Sequence, residues 1–135
     1  MGNKHPNLKM LERGMAAFAA KDLATLAQLF VEGLIWHHGG RSILAGDYVG
    51  VDEVFTLFAR RAAMTDDTYR VQVLHAAATD SVISVVSRIH AERAKKSYDD
   101  ELVSVYRIDE AGTGRVVEAW HHPAHPKHEA QFFGR

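Results

Sequence analysis

The sequence contains no cysteine among its 135 residues. This absence excludes a disulfide framework, a thiolate nucleophile and a zinc site built on cysteine. The chain also lacks a long uncharged apolar run, and its first residues carry no apolar segment of the signal-peptide type. The net charge is −1, so there is no basic surplus of the kind that binds nucleic acid or acidic membranes. We therefore predict a soluble cytoplasmic protein without a nucleic-acid or membrane partner.

Histidine is the residue that the sequence has in unusual number, with nine copies. The length of the chain suits one domain over residues 1–135, large enough for a core and a modest cavity. Residues 124–135 are rich in histidine, proline and lysine, and we predict an extended C-terminal tail there. Phe132 and Phe133 are the apolar residues of that tail that could dock on another surface.

Apolar residues recur at helical spacing in the first half of the chain. Residues 6–20 are predicted to form an amphipathic helix, and Asp22 is a suitable N-cap for a second, short one. A third helix is predicted after Gly50. Its apolar stripe consists of Val51, Val54, Phe55, Phe58 and Ala62. Arg60 and Arg61 are predicted to lie on the outer side of this helix or near its end.

The second half of the chain has the composition of β-strands. The β-rich runs are residues 68–78, 82–93, 98–109 and 115–122. Short turn-like connections separate them, so we expect consecutive strands to pair antiparallel. Helices followed by such a meander predict an α+β fold.

The stretch from Leu34 to Gly50 follows the first two predicted helices, precedes the third, and places histidines beside a tryptophan. Neighbouring residues of a strand point to opposite faces, so Trp36 and His38 share one face and His37 takes the other. If the shared face is the inside of the fold, a titratable imidazole lies in an apolar wall.

The whole pattern resembles a known family. It consists of a helix, a short helix, the Trp36-His-His38 strand, Leu44-Ala-Gly-Asp-Tyr-Val-Gly50, a third helix, four strands and a closing Val116-Val-Glu-Ala-Trp120. Over roughly residues 8–123 this resembles the SnoaL-like branch of the nuclear transport factor 2-like superfamily, which includes ketosteroid isomerases and polyketide cyclases. The resemblance implies a cone-shaped, curved antiparallel sheet with three helices from the N-terminal half packed on its concave side. It also implies a homodimer formed through the sheet.

The resemblance also implies which positions carry chemistry. The catalytic carboxylate of ketosteroid isomerases falls on His38, and the acid/base aspartate of polyketide-cyclase-like members falls on His121. The two oxyanion donors of the isomerase fall on Gly14 and Ser104. That electrophilic pair is therefore missing, which argues against a steroid isomerase of this type.

Two imidazoles in place of two carboxylates define the predicted catalytic pair, His38 as base and His121 as its partner. Imidazole titrates near pH 6.5, so it can accept and then donate a proton at neutral pH. Two imidazoles in one apolar cavity push their pKa values apart. We predict no cofactor and no metal, although histidines from strands at 36–38, 90 and 121 leave a three-histidine metal site open.

We predict that a larger set of side chains binds the substrate. This set consists of Trp36, Tyr48, Phe55, Phe58, Arg88, His90, Ser104 and Tyr106. Arg88 and His90 share one strand face and Ser104 and Tyr106 share another, so each pair lines the cavity only if its face is concave. Asp99 and Asp100 are either the carboxylates that orient a histidine or a solvated hairpin end.

The function predicted from the sequence is that of a cofactor-independent isomerase, cyclase or lyase. Its substrate would be a small hydrophobic carbonyl compound, and its chemistry would be histidine acid/base catalysis. Two alternatives remain open at this stage. One is a non-catalytic cup for a small ligand. The other is a dimeric interaction module that exposes an apolar patch around Phe132 and Phe133.

Overall fold

The computed structural model describes residues 4–109 and 113–135. Within these ranges the elements are α1 (Pro6–Ala19), α2 (Leu23–Leu29), β1 (Phe30–His38), β2 (Gly46–Val49), α3 (Val51–Met64), β3 (Arg70–Ala78), β4 (Val82–Arg93), β5 (Lys96–Ile108), β6 (Val116–Pro123) and α4 (Pro126–Phe133). The predicted α+β class is confirmed. None of the helices in the described ranges is long and apolar enough to cross a membrane.

One curved sheet contains the six strands of the described ranges in the order β2-β1-β6-β5-β4-β3. Four of its strand pairs are antiparallel, as predicted. The predicted curved sheet is thus mainly antiparallel, but the pairing of β1 with β6 is parallel. The reason is that a long stretch of chain, rather than a tight turn, connects these two strands. The parallel pairing brings the first strand beside the last.

Local signals set the start of each of the first three helices. The ring of His5 accepts a hydrogen bond from the backbone nitrogen of Asn7 at 3.0 Å, at the start of α1. The predicted N-cap of α2 is confirmed, because the Asp22 carboxylate accepts from the backbone nitrogen of Thr25 at 3.1 Å. Gly50 precedes α3 with a φ angle of 88°, a backbone conformation that side chains with a Cβ rarely adopt.

The inner face of the sheet carries the buried alternate residues of each long strand. In β4 these are Ile83, Val85, Ser87, Ile89 and Ala91. Helix α1 contacts β3, α2 contacts β1, and α3 contacts both β1 and β2. The predicted packing of three helices from the N-terminal half on the concave side is thus confirmed, and the core lies between these helices and the sheet.

The C-terminal residues form a packed helix, so the prediction of an extended tail over residues 124–135 was wrong. Phe132 and Phe133 are only 4% and 2% exposed, which also removes the predicted apolar surface patch. The ring of Tyr98 stacks on Phe132 at a centroid distance of 5.3 Å. Arg93 donates to the backbone oxygens of both phenylalanines, at 3.2 and 2.8 Å. A proline in the first turn presets the helix, and burial of the two rings stabilises it.

Candidate functional site

A cavity lies between the helices and the inner face of the sheet. Its inner chamber has a volume of about 100 Å³. An adjoining outer depression of about 940 Å³ is bordered by α1, α2, α3 and β3. The residues that line both spaces are Leu11, Met15, Phe18, Leu26, Phe58, Arg61, Tyr69 and Val71. An apolar molecule would therefore pass a mostly apolar wall on its way inward.

His121 lines the inner chamber and is 5% exposed. Strand alternation places it there, since it lies opposite Ser104 in the β5–β6 register and both residues are buried. Its ring stacks on the indole of Trp36 at a centroid distance of 4.1 Å. Its Nε2 lies 3.0 Å from the hydroxyl of Tyr106. These contacts hold the imidazole in one orientation at the wall of the chamber.

The surroundings of His121 favour its neutral form. Burial lowers the pKa of its imidazole well below the ordinary value of 6.5, and electrostatic interactions with His38 and Arg61 lower it further. Burial raises the pKa of the Tyr106 hydroxyl to about 12, so this group stays protonated at neutral pH. In the tautomer with its proton on Nδ1, His121 accepts the Tyr106 hydrogen bond at Nε2. The chamber thus contains a proton acceptor next to a hydroxyl donor.

His38 lies beside His121 on the inner face, because the two residues are partners in the β1–β6 register. Its Nε2 donates to Oε2 of Glu129 at 3.0 Å. His38 is not among the residues that line either space. The prediction that both imidazoles reach one open pocket was therefore wrong for His38, whose ring is packed against α4.

The predicted side-chain parity of β1 is confirmed. Trp36 and His38 are buried, and His37 lies on the outer face between the carboxylates of Asp47 and Glu118. Trp36 lines the inner chamber. Within residues 4–109 and 113–135, its indole nitrogen has no hydrogen-bond partner. An indole N–H is a donor only, so it is free for an acceptor atom of a ligand.

Other predicted binding residues divide between the two spaces. Ser104, Tyr106 and Phe58 line the inner chamber. Phe55 lines the outer depression. Tyr48 lines neither, because its half-buried hydroxyl donates to the backbone oxygen of Leu44 at 2.6 Å. Its predicted role in substrate binding is therefore not supported.

Arg88 and His90 lie on the outer face of β4, so their predicted place in the cavity was wrong. Alternation shows which residues share a face but not which face is inside, and here Ser87 and Ile89 take the inner one. His90 instead donates from Nδ1 to Asp99 at 2.7 Å. The three-histidine site left open by the sequence is consequently not formed. The described ranges contain no group of three or more potential ligand side chains placed to hold a metal.

Arg61 is a site residue that the sequence did not indicate. It lies near the end of α3, as predicted, but it is buried rather than on the outer side of the helix. Its guanidinium carbon is 4.0 Å from the ring centroid of Tyr69. The available signal was its spacing, since Arg61 follows Val54 and Phe58 on the apolar stripe of the helix.

Glu129 was also missed, because it lies in the segment predicted to be a tail. It supplies the carboxylate that orients His38. The predicted orienting candidates bind other histidines. Asp99 accepts from His90, and Asp100 accepts from Nδ1 of His125 at 2.7 Å. A buried carboxylate on α4 is therefore the unforeseen partner of a predicted catalytic residue.

Comparisons with known proteins agree with this architecture. A family described as the SnoaL-like domain matches residues 11–119. The uncharacterized protein Rv0034 of Mycobacterium tuberculosis is 32% identical over 119 residues, covering 87% of this chain and 91% of the relative. Bal32a, from a soil-derived mobile gene cassette, has a TM-score of 0.87 at 32% identity, with 94% of this chain and 95% of that chain covered. IdmH, a candidate polyketide cyclase from Streptomyces antibioticus, shares the fold with a TM-score of 0.75 at 16% identity, with 94% and 98% covered. The chain belongs to the SnoaL-like domain family, as its resemblance in sequence predicted.

Proposed function

We propose that this protein is a cofactor-independent isomerase, cyclase or lyase that acts on a small hydrophobic carbonyl compound. The observation that carries the proposal is the pair formed by His121 and Tyr106 in an apolar chamber. A neutral imidazole and a protonated phenol lie 3.0 Å apart there. Enolisation next to a carbonyl group requires a base for the carbon-bound proton and a donor for the oxygen that gains charge.

The first chemical step follows from this geometry. The carbonyl oxygen of the substrate accepts the hydrogen bond of the Tyr106 hydroxyl in place of His121. This exchange leaves Nε2 of His121 free. The imidazole then accepts a proton from the carbon next to the carbonyl group. The C–H bond breaks, an N–H bond forms, and the electron pair becomes an enolate whose oxygen accepts from Tyr106. Return of the proton to another carbon gives an isomer, attack on a second carbonyl gives a ring, and loss of a leaving group gives an alkene.

In this scheme His38 is a positioning residue instead of the base. Its ring lies behind the wall of the chamber, and Glu129 fixes its orientation. Its electrostatic interaction with His121 lowers the pKa of that imidazole. The His38–Glu129 pair therefore influences how readily His121 accepts a proton without touching the substrate.

Exchange of carbon-bound hydrogen for deuterium tests the proposal without a known product. Phenylacetone and acetophenone would be incubated with the protein in heavy water, and the loss of their enolisable protons followed by NMR. We expect the protein to accelerate exchange, and the His121→Ala variant to be slower by about 10²- to 10⁴-fold. His122→Ala is the matched control, because the neighbouring His122 side chain is exposed. Exchange at the wild-type rate in His121→Ala would contradict the assignment.

A non-catalytic ligand cup is the alternative, and the mostly apolar walls of both spaces favour it. A cup of this kind would bind the same ketones without exchanging their protons, so the same experiment separates the two functions.

We also propose that the protein is a homodimer formed through the outer face of the sheet. This face carries the exposed apolar side chains of Val103 and Trp120, which are 47% and 38% exposed. They lie on adjacent strands, β5 and β6. Burial of these side chains against a second copy would remove apolar surface from water.

A further inference from the structure

We propose that Arg61 is the anion-binding residue of this cavity, and that the substrate is a small apolar compound with a carboxylate as well as a carbonyl group. The carboxylate would bind the guanidinium while the part of the molecule that carries the carbonyl group points into the inner chamber. This inference rests on the proposed function and narrows its substrate class from carbonyl compounds to keto acids.

The guanidinium of Arg61 lies among aromatic rings. Arg61 is 7% exposed. Its guanidinium carbon is 4.0 Å from the ring centroid of Tyr69, 5.4 Å from that of Phe58 and 5.7 Å from that of Phe18. Ring faces attract a cation, but they provide no oxygen to accept its five N–H donors.

Arg61 has no anionic partner in the described ranges. The lysine and arginine ion pairs found there belong to Lys4, Lys21 and Arg107. Another partly buried arginine, Arg93, instead donates to backbone oxygens at the end of α4. A buried cation without a partner is unfavourable, and a carboxylate is the group that matches the guanidinium fork. The cavity therefore contains a buried positive charge, that of Arg61, which a negative group of a ligand would neutralise.

The position of Arg61 fits an anchor at the boundary between the two spaces, because it lines both of them. The inner chamber, at about 100 Å³, accommodates only a small part of a ligand. That part would meet His121, Tyr106 and the unpartnered indole N–H of Trp36. A carboxylate held at the boundary would thus orient the carbonyl group toward the base.

A bound carboxylate would also change the base itself. The charge of Arg61 is one of the causes that lower the pKa of His121. A carboxylate on the guanidinium would offset that charge, so the pKa of His121 would rise when the substrate is bound. Binding and activation of the base are coupled in this arrangement.

The test compares phenylacetate with phenylacetamide, which have the same ring and differ in charge. Their affinities would be measured by calorimetry for the wild type and for Arg61→Gln. We expect the wild type to bind the acid at least about ten-fold more tightly than the amide. Arg61→Gln should lose this preference and keep its affinity for the amide. Arg60→Gln is the matched control. Arg60 is the neighbouring residue and its side chain is exposed, so this substitution removes the same charge from outside the cavity.

NMR titration of His121 supplies a second readout, since its pKa should rise when phenylacetate is added and stay unchanged with phenylacetamide. Equal affinity of the wild type for acid and amide, no binding of either, or a preserved preference in Arg61→Gln would overturn the inference. If Arg61→Gln does not fold, the acid–amide comparison on the wild type and on Arg61→Lys decides. His121→Ala should keep the preference for the acid. Intact acid binding together with wild-type exchange in His121→Ala would reject the proposed chemistry alone.

Discussion

His38 and Glu129 form a buried pair in which Nε2 lies 3.0 Å from Oε2 and the two side chains are 2% and 4% exposed. The pair joins β1 to α4 across 91 residues of sequence. Within the described ranges, the remaining polar atoms of the two side chains, Nδ1 of His38 and Oε1 of Glu129, have no hydrogen-bond partner. Each residue is thus the principal polar partner of the other, and loss of one leaves the other buried without it.

Removal of Glu129 should therefore destabilise the fold. We expect Glu129→Ala to lower the free energy of unfolding by about 3 kcal/mol, because it leaves a buried imidazole without a partner. Urea unfolding followed by circular dichroism measures this change. Gln131→Ala, at an exposed position of the same helix, should change stability by less than about 0.5 kcal/mol. Equal effects of the two substitutions would show that the pair contributes nothing specific.

His121 should make the protein less stable in mild acid. Its pKa lies below 6.5 in the folded state, so the unfolded chain takes up this proton at a higher pH than the folded chain does. The contribution of His121 to the free energy of unfolding is therefore lost as the pH falls below about 6.5 toward the lowered pKa. Compared with His121→Gln, the wild type should lose stability between about pH 7 and pH 5 in urea unfolding. Parallel pH curves for the two proteins would contradict the depressed pKa.

His37 should have the opposite pH dependence. Hydrogen bonds to Glu118, and then to Asp47, raise its pKa above 6.5 in the folded state. Its stabilising contribution is fully present below about pH 6.5 and is lost as the pH rises through the raised pKa. His37→Gln should therefore destabilise the protein at about pH 5.5 and have little effect near pH 9. His122→Gln, at an exposed position, serves as control, and a pH-independent effect of His37→Gln would rule out this linkage.

Trp120→Lys should convert the proposed dimer to monomers, because it places a charge in the apolar outer face of the sheet. Sedimentation velocity at several protein concentrations measures the outcome. Ile43→Lys is the control, since Ile43 is 43% exposed but lies outside the strands. A monomeric wild type, or a dimeric Trp120→Lys variant, would contradict the proposal that the outer face of the sheet is the dimer interface.

The sequence predicted those parts of the fold that depend on local pattern. The N-cap at Asp22, the shared face of Trp36 and His38, and the four long strands all follow from spacing and composition. His121 is buried on the inner face together with Ala119, which lies two residues before it on the same strand.

The features that the sequence did not predict depend on contacts between segments that are distant along the chain. Arg88 and His90 were assigned to the cavity because alternation does not tell which face of β4 meets the helices. Arg61 was placed outside because its charge outweighed its position on an apolar stripe. Glu129 could not be paired with His38 before α4 was known to be a helix, since only its docking on the sheet brings the two together.

The parallel pairing of β1 with β6 has a consequence for the synthesis of the protein. The strand that carries Trp36 and His38 is synthesised well before the segments that carry His121 and Glu129. Until those later segments are made, the inner face of β1 lacks its neighbour β6, and the ring of Trp36 lacks the imidazole on which it stacks. The wall of the chamber therefore joins an earlier and a later part of the nascent chain, and it forms only after β6 and α4 have been synthesised.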